Sequence, residues 1–379
     1  MQFQFQNPTR ILFGEGQISE ISQQIPADAK VLVLYGGGSI KRNGIYAQVE
    51  QALQHHQWLE FDGIEPNPTV ETLDNAVKLV KAEQIDFLLA VGGGSVIDGT
   101  KYVAAAAKYQ GYGWDILDGK AQVTDAMPLG CILTLPATGS ESNAAAVVTR
   151  VATAEKKAFF SPLVYPQFAV LDPTAMSTLP DRQLRNGIVD AFVHICEQYL
   201  TFPAGNMVQD GYAESLLRNL IVLAQQFDDR RQPQWQANLM YTANQALNGL
   251  IGAGVAHDWA THAIGHELTT LYGLDHAQTL AVVQPALLRQ QYVHKHDKLV
   301  QMGKNVFGID GKDAAQQCIN AIEALYRELG VGTKLDDYGV NRLDAVEQVS
   351  AALAEHGQLP LGEHGHIELA DCEQILQRA

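Results

Sequence analysis

The sequence predicts an α/β N-terminal domain with a Rossmann-like parallel sheet, followed by an all-α C-terminal domain. Short, fully apolar runs in the first half end in glycine, proline or other turn residues, and segments of helical periodicity lie between them. Apolar strands that alternate with helices are typical of a parallel sheet covered on both faces. From about residue 184 onward, helical patterns dominate and strand-like runs are absent.

The elements of the first half follow one another in the order that such a sheet requires. The predicted strands are residues 31–35, 59–61, 87–91, 131–135 and 168–171. Helices are expected at 45–57 and 70–83, where apolar residues recur at helical intervals. Residues 172–180 are rich in turn formers and predict a hinge. We therefore expect an α/β dinucleotide-binding domain at 1–179, a helical metal-binding domain at 180–379, and a ligand site in a cleft between them.

Composition excludes several classes of function. The chain has 379 residues, with 26 Lys and Arg against 42 Asp and Glu, which gives a formal net charge of −16. An acidic surface repels phosphate backbones, so nucleic acid and anionic membranes are not expected as partners. No apolar run is long enough to span a bilayer, and the N-terminus lacks the pattern of a secretion signal. The four cysteines form no C-x-x-C pair, and together these features predict a cytoplasmic protein.

Histidines and one aspartate suggest a metal site in the second half. Asp190 and His194 are four residues apart in an apolar helical stretch, so their side chains share one face. A buried ion pair is the alternative for these two residues. His262 and His266 are also four apart, and a turn at residues 272–275 allows His276 to fold back toward them. An aspartate and three histidines suit Fe²⁺ or Zn²⁺, but spacing leaves either His262 or His266 as the ligand.

The remaining histidines have simpler interpretations. His257 is expected to hydrogen-bond near the cleft. Seven others lie in polar contexts and are interpreted as surface or loop residues: His55, His56, His294, His296, His356, His364 and His366.

Glycine-rich turns after the strands suggest a nucleotide cofactor. Residues 92–98 follow a buried strand and open a helix, where backbone N–H groups can bind a pyrophosphate, although a plain strand-to-helix turn is the alternative. Gly36, Gly37, Gly38 and Ser39 follow the first strand without a carboxylate to hold a ribose 2′-hydroxyl, and Lys41 comes next. This composition favours the 2′-phosphate of NADP, with a glycine turn beside solvated cations as the alternative.

A third polar loop, residues 134–143, also follows a strand. Thr134, Thr138 and Asn143 are its cofactor candidates, because ligands bind at the carboxyl ends of strands in such sheets. For Ser140 and Ser142 in the same loop, capping of the next helix is the expected role.

Taken together, these motifs resemble the iron-containing, group III alcohol dehydrogenase family over the whole chain, and most closely its NADPH-dependent butanol dehydrogenase or aldehyde reductase branch. The matching segments are residues 8–14, 35–39, 65–69, 92–98, 134–143, 190–199, 245–254 and 273–279, with His262 and His266. The resemblance implies a dehydroquinate synthase-like two-domain architecture and a homodimer. It also implies that NAD-using relatives carry aspartate at the position of Gly36.

The same resemblance implies roles for single residues. Asp190, His194, His262 and His276 would ligate the metal, and His266 would stand unliganded beside the substrate as the catalytic residue. Gly93, Gly94 and Ser95 would cradle the pyrophosphate. The residues expected to line the nicotinamide and its ribose are Asp98, Thr134, Thr138 and Lys157.

The expected activity is reversible, metal-dependent reduction of aldehydes to primary alcohols with NADPH. Trp259 and Phe160 would suit short to medium aliphatic chains. A dehydroquinate-synthase-like lyase, or a non-catalytic sensor of nucleotide or metal on the same scaffold, is the alternative.

Overall fold

The computed structural model describes residues 2–379. These residues divide into two compact units. The sheet unit comprises residues 6–180 and 229–244, and the helical unit comprises residues 2–5, 181–228 and 245–379. Segment 229–244, expected in the helical domain, is therefore part of the sheet unit. The domain boundary expected between residues 179 and 180 stays a prediction.

The sheet unit is built on six parallel strands in the order β1-β8-β5-β4-β2-β3. The strands are β1 (Arg10–Phe13), β2 (Lys30–Tyr35), β3 (Gln57–Phe61), β4 (Phe87–Gly93), β5 (Leu129–Leu135), β6 (Ala145–Arg150), β7 (Glu155–Phe160) and β8 (Phe168–Leu171). Strands β6 and β7 form a separate antiparallel hairpin. The inner strands are almost wholly buried, as expected for a sheet covered on both faces.

This strand order gathers the glycine and hydroxyl loops at one edge. Strands β2, β4 and β5 are neighbours and parallel, so their carboxyl ends lie side by side. Residues 36–39, 93–95 and 134–143 begin at those ends. Ligands of open α/β sheets bind at this edge.

Fourteen α-helices occur in the described residues. They are α1 (Ser39–Arg42), α2 (Ile45–Ala52), α3 (Val70–Glu83), α4 (Gly94–Lys108), α5 (Trp114–Leu117), α6 (Asp181–Tyr199), α7 (Met207–Gln225), α8 (Pro233–Ala246), α9 (Ala260–Tyr272), α10 (His276–Gln290), α11 (Tyr292–Met302), α12 (Ala314–Glu328), α13 (Arg342–Glu355) and α14 (Leu369–Arg378). None of them is long and apolar enough to cross a membrane.

The helical unit packs around α6 and α10. Helix α10 contacts α6, α9, α12 and α14, and α6 also contacts α7. Both α6 and α10 are buried along most of their length, so polar side chains on them need partners inside the protein.

The fold class predicted from the sequence is confirmed: a parallel α/β sheet comes first and a helical region follows. Two details differ. Helix α2 ends at Ala52 rather than at residue 57 because Gln57 already belongs to edge strand β3. Strand β1 and the hairpin β6–β7 were missed, because their exposed and buried residues mix without a continuous apolar run.

Candidate metal centre and nucleotide-binding edge

Helix α6 positions the first two candidate ligands. Asp190 and His194 are four residues apart, so both side chains leave the same face of the helix. They are only 3% and 4% exposed, and His194 Nε2 lies 3.6 Å from Asp190 Oδ1.

Helices α9 and α10 bring two further imidazoles to the same carboxylate. The His262 ring stacks on the His194 ring at a centroid distance of 4.7 Å. Helix α9 stops at Gly273, which has a φ of +67°, and the chain turns so that α10 begins at His276. There, His276 Nε2 lies 3.7 Å from Asp190 Oδ1, and the ring centroid of His276 is 5.1 Å from that of His262.

This cluster has the composition and spacing of a metal site. One ligand atom from each of Asp190, His194 and His262 lies within 4.8 Å of the other two. Asp190 Oδ1 is buried and accepts no hydrogen bond from the residues that the structure describes. A carboxylate oxygen among imidazoles is a donor set suited to Fe²⁺ or Zn²⁺, so these residues fit a divalent cation.

Glu197 contacts the cluster through His262, and the sequence did not single it out as a site residue. Its Oε2 contacts Nδ1 of His262, while its Oε1 accepts a 2.7 Å hydrogen bond from the Thr261 amide. Burial, and then the nearby carboxylate of Asp258, raise the pKa of Glu197. A carboxylate on one ring nitrogen fixes the tautomer and leaves the other nitrogen for a metal. Its spacing offered a signal, since Glu197 lies one turn beyond His194 on the same helix.

The other residues of the predicted histidine cluster surround this centre. The His266 ring is 6.1 Å from that of His262 and 5.2 Å from that of His276, and its side chain is partly exposed. His257 contacts the Gly252 carbonyl at 3.0 Å and accepts a hydrogen bond from the Trp259 indole. The Trp259 ring lies 5.3 Å from that of His262, which places an apolar surface beside the cluster.

In the sheet unit, the start of α4 is open to an anion. Gly93 is the N-cap residue and makes no side-chain cap, so the first turn has no capping side chain on its N–H groups. A Cβ on Gly94 would come within 2.4 Å of Thr138 Oγ1, so only glycine allows the 134–143 loop to pack here. Ser95 Oγ accepts a hydrogen bond from the Asn67 amide, which ties this turn to the loop before α3. The edge therefore fits a pyrophosphate.

The first glycine loop has an unexpected carboxylate beside it. A Cβ on Gly37 or Gly38 would meet nothing within 4 Å, so the loop is open to a ligand. Ser39 begins α1, and Lys41 on that helix lies 3.3 Å from Glu60 of β3. The Tyr35 and Tyr46 hydroxyls also donate to Glu60, and the Lys41 ammonium lies over both rings. Lys41 is thus held beside the loop by an exposed ion pair.

The Asp98 and Asn143 side chains bond to the protein itself. Asp98 accepts hydrogen bonds from Ser140 Oγ and from the Val147 amide. The buried Lys101 ammonium donates to Ser140 Oγ at 2.9 Å and to Asn143 Oδ1 at 2.9 Å. Burial lowers the pKa of Lys101 to about 8 and raises that of Asp98. This network, which the sequence did not reveal, holds the 134–143 loop against α4.

The last two cofactor candidates differ in setting. Thr134 is a half-buried residue near the end of β5, at the same edge as α4. The Lys157 ammonium instead lies 2.8 Å from Asp118 and 2.6 Å from Glu155. Phe160, at the end of β7, is 73% exposed.

The fold and the histidine–aspartate cluster define a class: metalloenzymes with a nucleotide-binding parallel sheet and a helical metal-binding region. Two sequence profiles match the chain, "iron-containing alcohol dehydrogenase" over residues 8–173 and the C-terminal part of the same family over residues 185–379. The chain therefore belongs to the iron-containing alcohol dehydrogenase family.

Curated relatives and solved structures agree with this assignment. The chain is 50% identical to the NADPH-dependent aldehyde reductase YqhD of Escherichia coli, with 100% of this chain and 99% of the relative covered. It is 40% identical to a probable NADH-dependent butanol dehydrogenase of Bacillus subtilis, covering 94% and 95%. The crystal structure of E. coli YqhD superposes with a TM-score of 0.97 at 50% identity, covering 99% and 98% of the two chains.

Proposed function

We propose that the protein is a metal-dependent, NADPH-linked alcohol dehydrogenase that reduces short to medium aliphatic aldehydes to primary alcohols, reversibly. The observation that carries the proposal is the buried cluster of Asp190, His194 and His262, with His276 beside it. A carboxylate with imidazoles in a family of alcohol dehydrogenases supports a cation site for a substrate oxygen.

The metal site would be held by those four residues. A bound Fe²⁺ or Zn²⁺ would supply a Lewis acid that polarises the carbonyl of the aldehyde. Glu197 keeps the His262 ring oriented through Nδ1 and so presents its other nitrogen to the centre. Trp259 borders the cluster with an apolar ring, which favours an alkyl chain over a charged substrate.

NADPH is the proposed hydride donor, and its parts match features of the sheet unit. The open N-terminus of α4 at Gly94 and Ser95 supports binding of the pyrophosphate. Gly36 stands where a carboxylate would repel a 2′-phosphate, and Lys41 offers a cation beside that loop. The NADPH-dependent E. coli relative supports the same choice. Thr134, Thr138, Asn143, Asp98 and Lys157 remain candidates for the nicotinamide end.

His266 is the proposed proton donor. It lies one turn after His262 on α9, with its ring close to the cluster and its side chain partly exposed. An imidazole in that position can return a proton to the alkoxide that forms during reduction and then exchange protons with water.

The activity test is NADPH oxidation with butanal, run on purified, chelated and Zn²⁺- or Fe²⁺-restored protein with NADH in parallel. Activity that disappears on chelation, returns with metal and prefers NADPH is the expected result. Tight NADPH binding without turnover of any aldehyde would contradict the proposal and favour a lyase or a sensor.

Two histidine variants separate the proposed roles. His262→Ala should lose metal and activity together, because it removes a ligand. His266→Ala should keep its metal, measured by elemental analysis, and turn over more slowly by a factor of about 10² or more. Full activity in metal-free His262→Ala, or unchanged turnover in His266→Ala, would overturn the respective role.

We also propose that the protein is cytoplasmic and forms a homodimer. Within each chain, the boundary between the two domains is proposed near residue 180. The four cysteines are buried thiols without disulfides, in keeping with a reducing compartment. Sedimentation equilibrium measures the state of assembly, and a monomer at micromolar concentration would contradict the dimer.

A further inference from the structure

A second group of histidines meets on the helical unit, away from Asp190 in sequence. His294 belongs to α11, whereas His364 and His366 lie in the loop between α13 and α14. The ring centroid of His366 is 4.4 Å from that of His294 and 5.4 Å from that of His364, and His294 and His364 are 6.4 Å apart. The polar sequence contexts of these three residues predict only surface or loop positions.

A hydrogen-bonded chain fixes the tautomer of His366. The side-chain Nε2 of Gln290 donates to Asp371 Oδ1 at 2.6 Å, and Oε1 of Gln290 accepts a hydrogen bond from the side-chain Nε2 of Gln291. Gln291 Oε1 then faces His366 Nε2 at 2.8 Å. A carboxylate only accepts, so each amide must donate toward Asp371 and present its oxygen on the other side. Nε2 of His366 is therefore the protonated nitrogen.

The other nitrogen of His366 carries the lone pair. Nδ1 is buried and has no hydrogen-bond partner among the described residues. A neutral imidazole whose far N–H is held by a carbonyl oxygen is the arrangement found for histidines that ligate metals.

The two partner rings can complete a site by rotation. His294 and His364 are both exposed, and His294 borders an open surface cleft of about 300 Å³. Two imidazoles on one tetrahedral ion have ring centroids roughly 5 Å apart, given metal–nitrogen bonds of about 2.0–2.1 Å. The three centroid distances bracket that value. The nitrogens are spread more widely than those of the Asp190 cluster, so His294 and His364 must turn toward His366.

We propose that His294, His364 and His366 form a second metal site, for a divalent ion that binds imidazole in tetrahedral geometry, such as Zn²⁺, with water completing the coordination. A metal bound at this site would link α11 to the loop 361–367. That loop is already anchored at two points, since Leu361 pairs with Ile367 and Glu363 contacts Lys295 of α11 at 3.0 Å. A preformed loop lowers the entropy lost when a metal binds.

Zn²⁺ calorimetry on enzyme already loaded at the first site tests the proposal. A second, weaker binding event of one Zn²⁺ per chain is expected. His294→Gln and His364→Gln should each weaken this event more than about 10-fold, since removing even an outer-shell partner costs that much. Both residues are exposed, so neither change threatens the fold. His296→Gln, on the same helix but outside the trio, is the matched control and should leave both events unchanged.

A second measurement tests the hydrogen-bonded chain itself. Co²⁺ bound at the second site should give a visible ligand-field spectrum, and His366→Gln should abolish it. Gln291→Met keeps the length of the side chain and removes the acceptor, so Co²⁺ should bind about 10- to 100-fold more weakly. A single metal-binding event in the wild type, or a second event that survives all three histidine substitutions, would overturn the proposal.

Discussion

At the residue scale, Glu197 links the metal centre to its surroundings. The carboxylate holds His262 through Nδ1 and the chain through the Thr261 amide. Glu197→Gln keeps the size of the side chain but removes its charge, so the His262 ring loses part of its orientation and basicity. We expect metal affinity to fall about 10- to 100-fold, measured by competition with a chelator.

A second buried carboxylate in the helical unit provides a control for the general effect on stability of replacing a buried glutamate by glutamine. Glu214 is also buried and accepts a hydrogen bond from the Tyr199 hydroxyl, so Glu214→Gln should leave metal affinity unchanged. Equal loss in both variants would mean that Glu197 acts only through stability.

Lys101 gives the sheet unit a dependence on pH. Burial lowers its pKa from 10.5 to about 8, whereas the unfolded chain keeps the ordinary value. Between these two pH values the unfolded state binds more protons, so the free energy of unfolding contributed by this residue rises with pH. The size of the shift corresponds to about 3 kcal/mol.

Chemical denaturation of wild type and Lys101→Met at pH values of about 7.5 and 10 isolates this contribution. Other groups titrate in the same range, but they cancel in the difference between the two proteins. The difference in the free energy of unfolding between wild type and Lys101→Met should change with pH in the direction given. A difference that is constant with pH would contradict the assignment.

At the element scale, local patterns predicted what a single helix or strand decides. The spacing of Asp190 and His194 was enough to place both on one face of α6, and the turn at Gly273 was visible as a helix stop. Spacing left His262 and His266 as alternatives because both lie on α9. Only the tertiary fold, which stacks the ring of His262 on that of His194 from α6, separates their settings.

Long-range contacts explain what the sequence did not reveal. Glu60 reaches Lys41 from a neighbouring strand, and Lys101 reaches Asn143 from 42 residues away. Neither pairing leaves a local pattern, because each depends on the register of the sheet and its loops. The three surface histidines likewise come from two elements far apart in the chain.

The start of α10 shows how a helix end positions one ligand. The Asp275 amide donates to Gln278 Oε1, and its carboxylate binds Asn186 of α6 at 2.9 Å. His276 is the next residue, so Asp275→Ala should loosen it. We expect a loss of stability of about 1 kcal/mol and faster release of metal to a chelator. Asp313→Ala, at the N-cap of α12 where no side-chain cap forms, should leave metal release unchanged. Equal release rates in all three proteins would show that this contact does not position His276.

At the scale of the whole molecule, the metal ion and NADP⁺ are proposed to bind to different compact units. All four candidate metal ligands belong to the helical unit, and all candidate cofactor residues belong to the sheet unit. A ligand that binds only the folded state stabilises what it contacts, by about 2.7 kcal/mol at 100 times its Kd.

Hydrogen exchange read by mass spectrometry should therefore separate the binding of the metal from the binding of NADP⁺. Removal of the metal should speed exchange in α6, α9 and the start of α10, while NADP⁺ should slow it around residues 36–41 and 93–98. The His262→Ala variant supplies the control, since chelator should no longer alter exchange in α6, α9 and the start of α10 while NADP⁺ still protects the sheet unit. Protection by NADP⁺ confined to the helical unit would place the nucleotide elsewhere and contradict the assignment of the glycine loops.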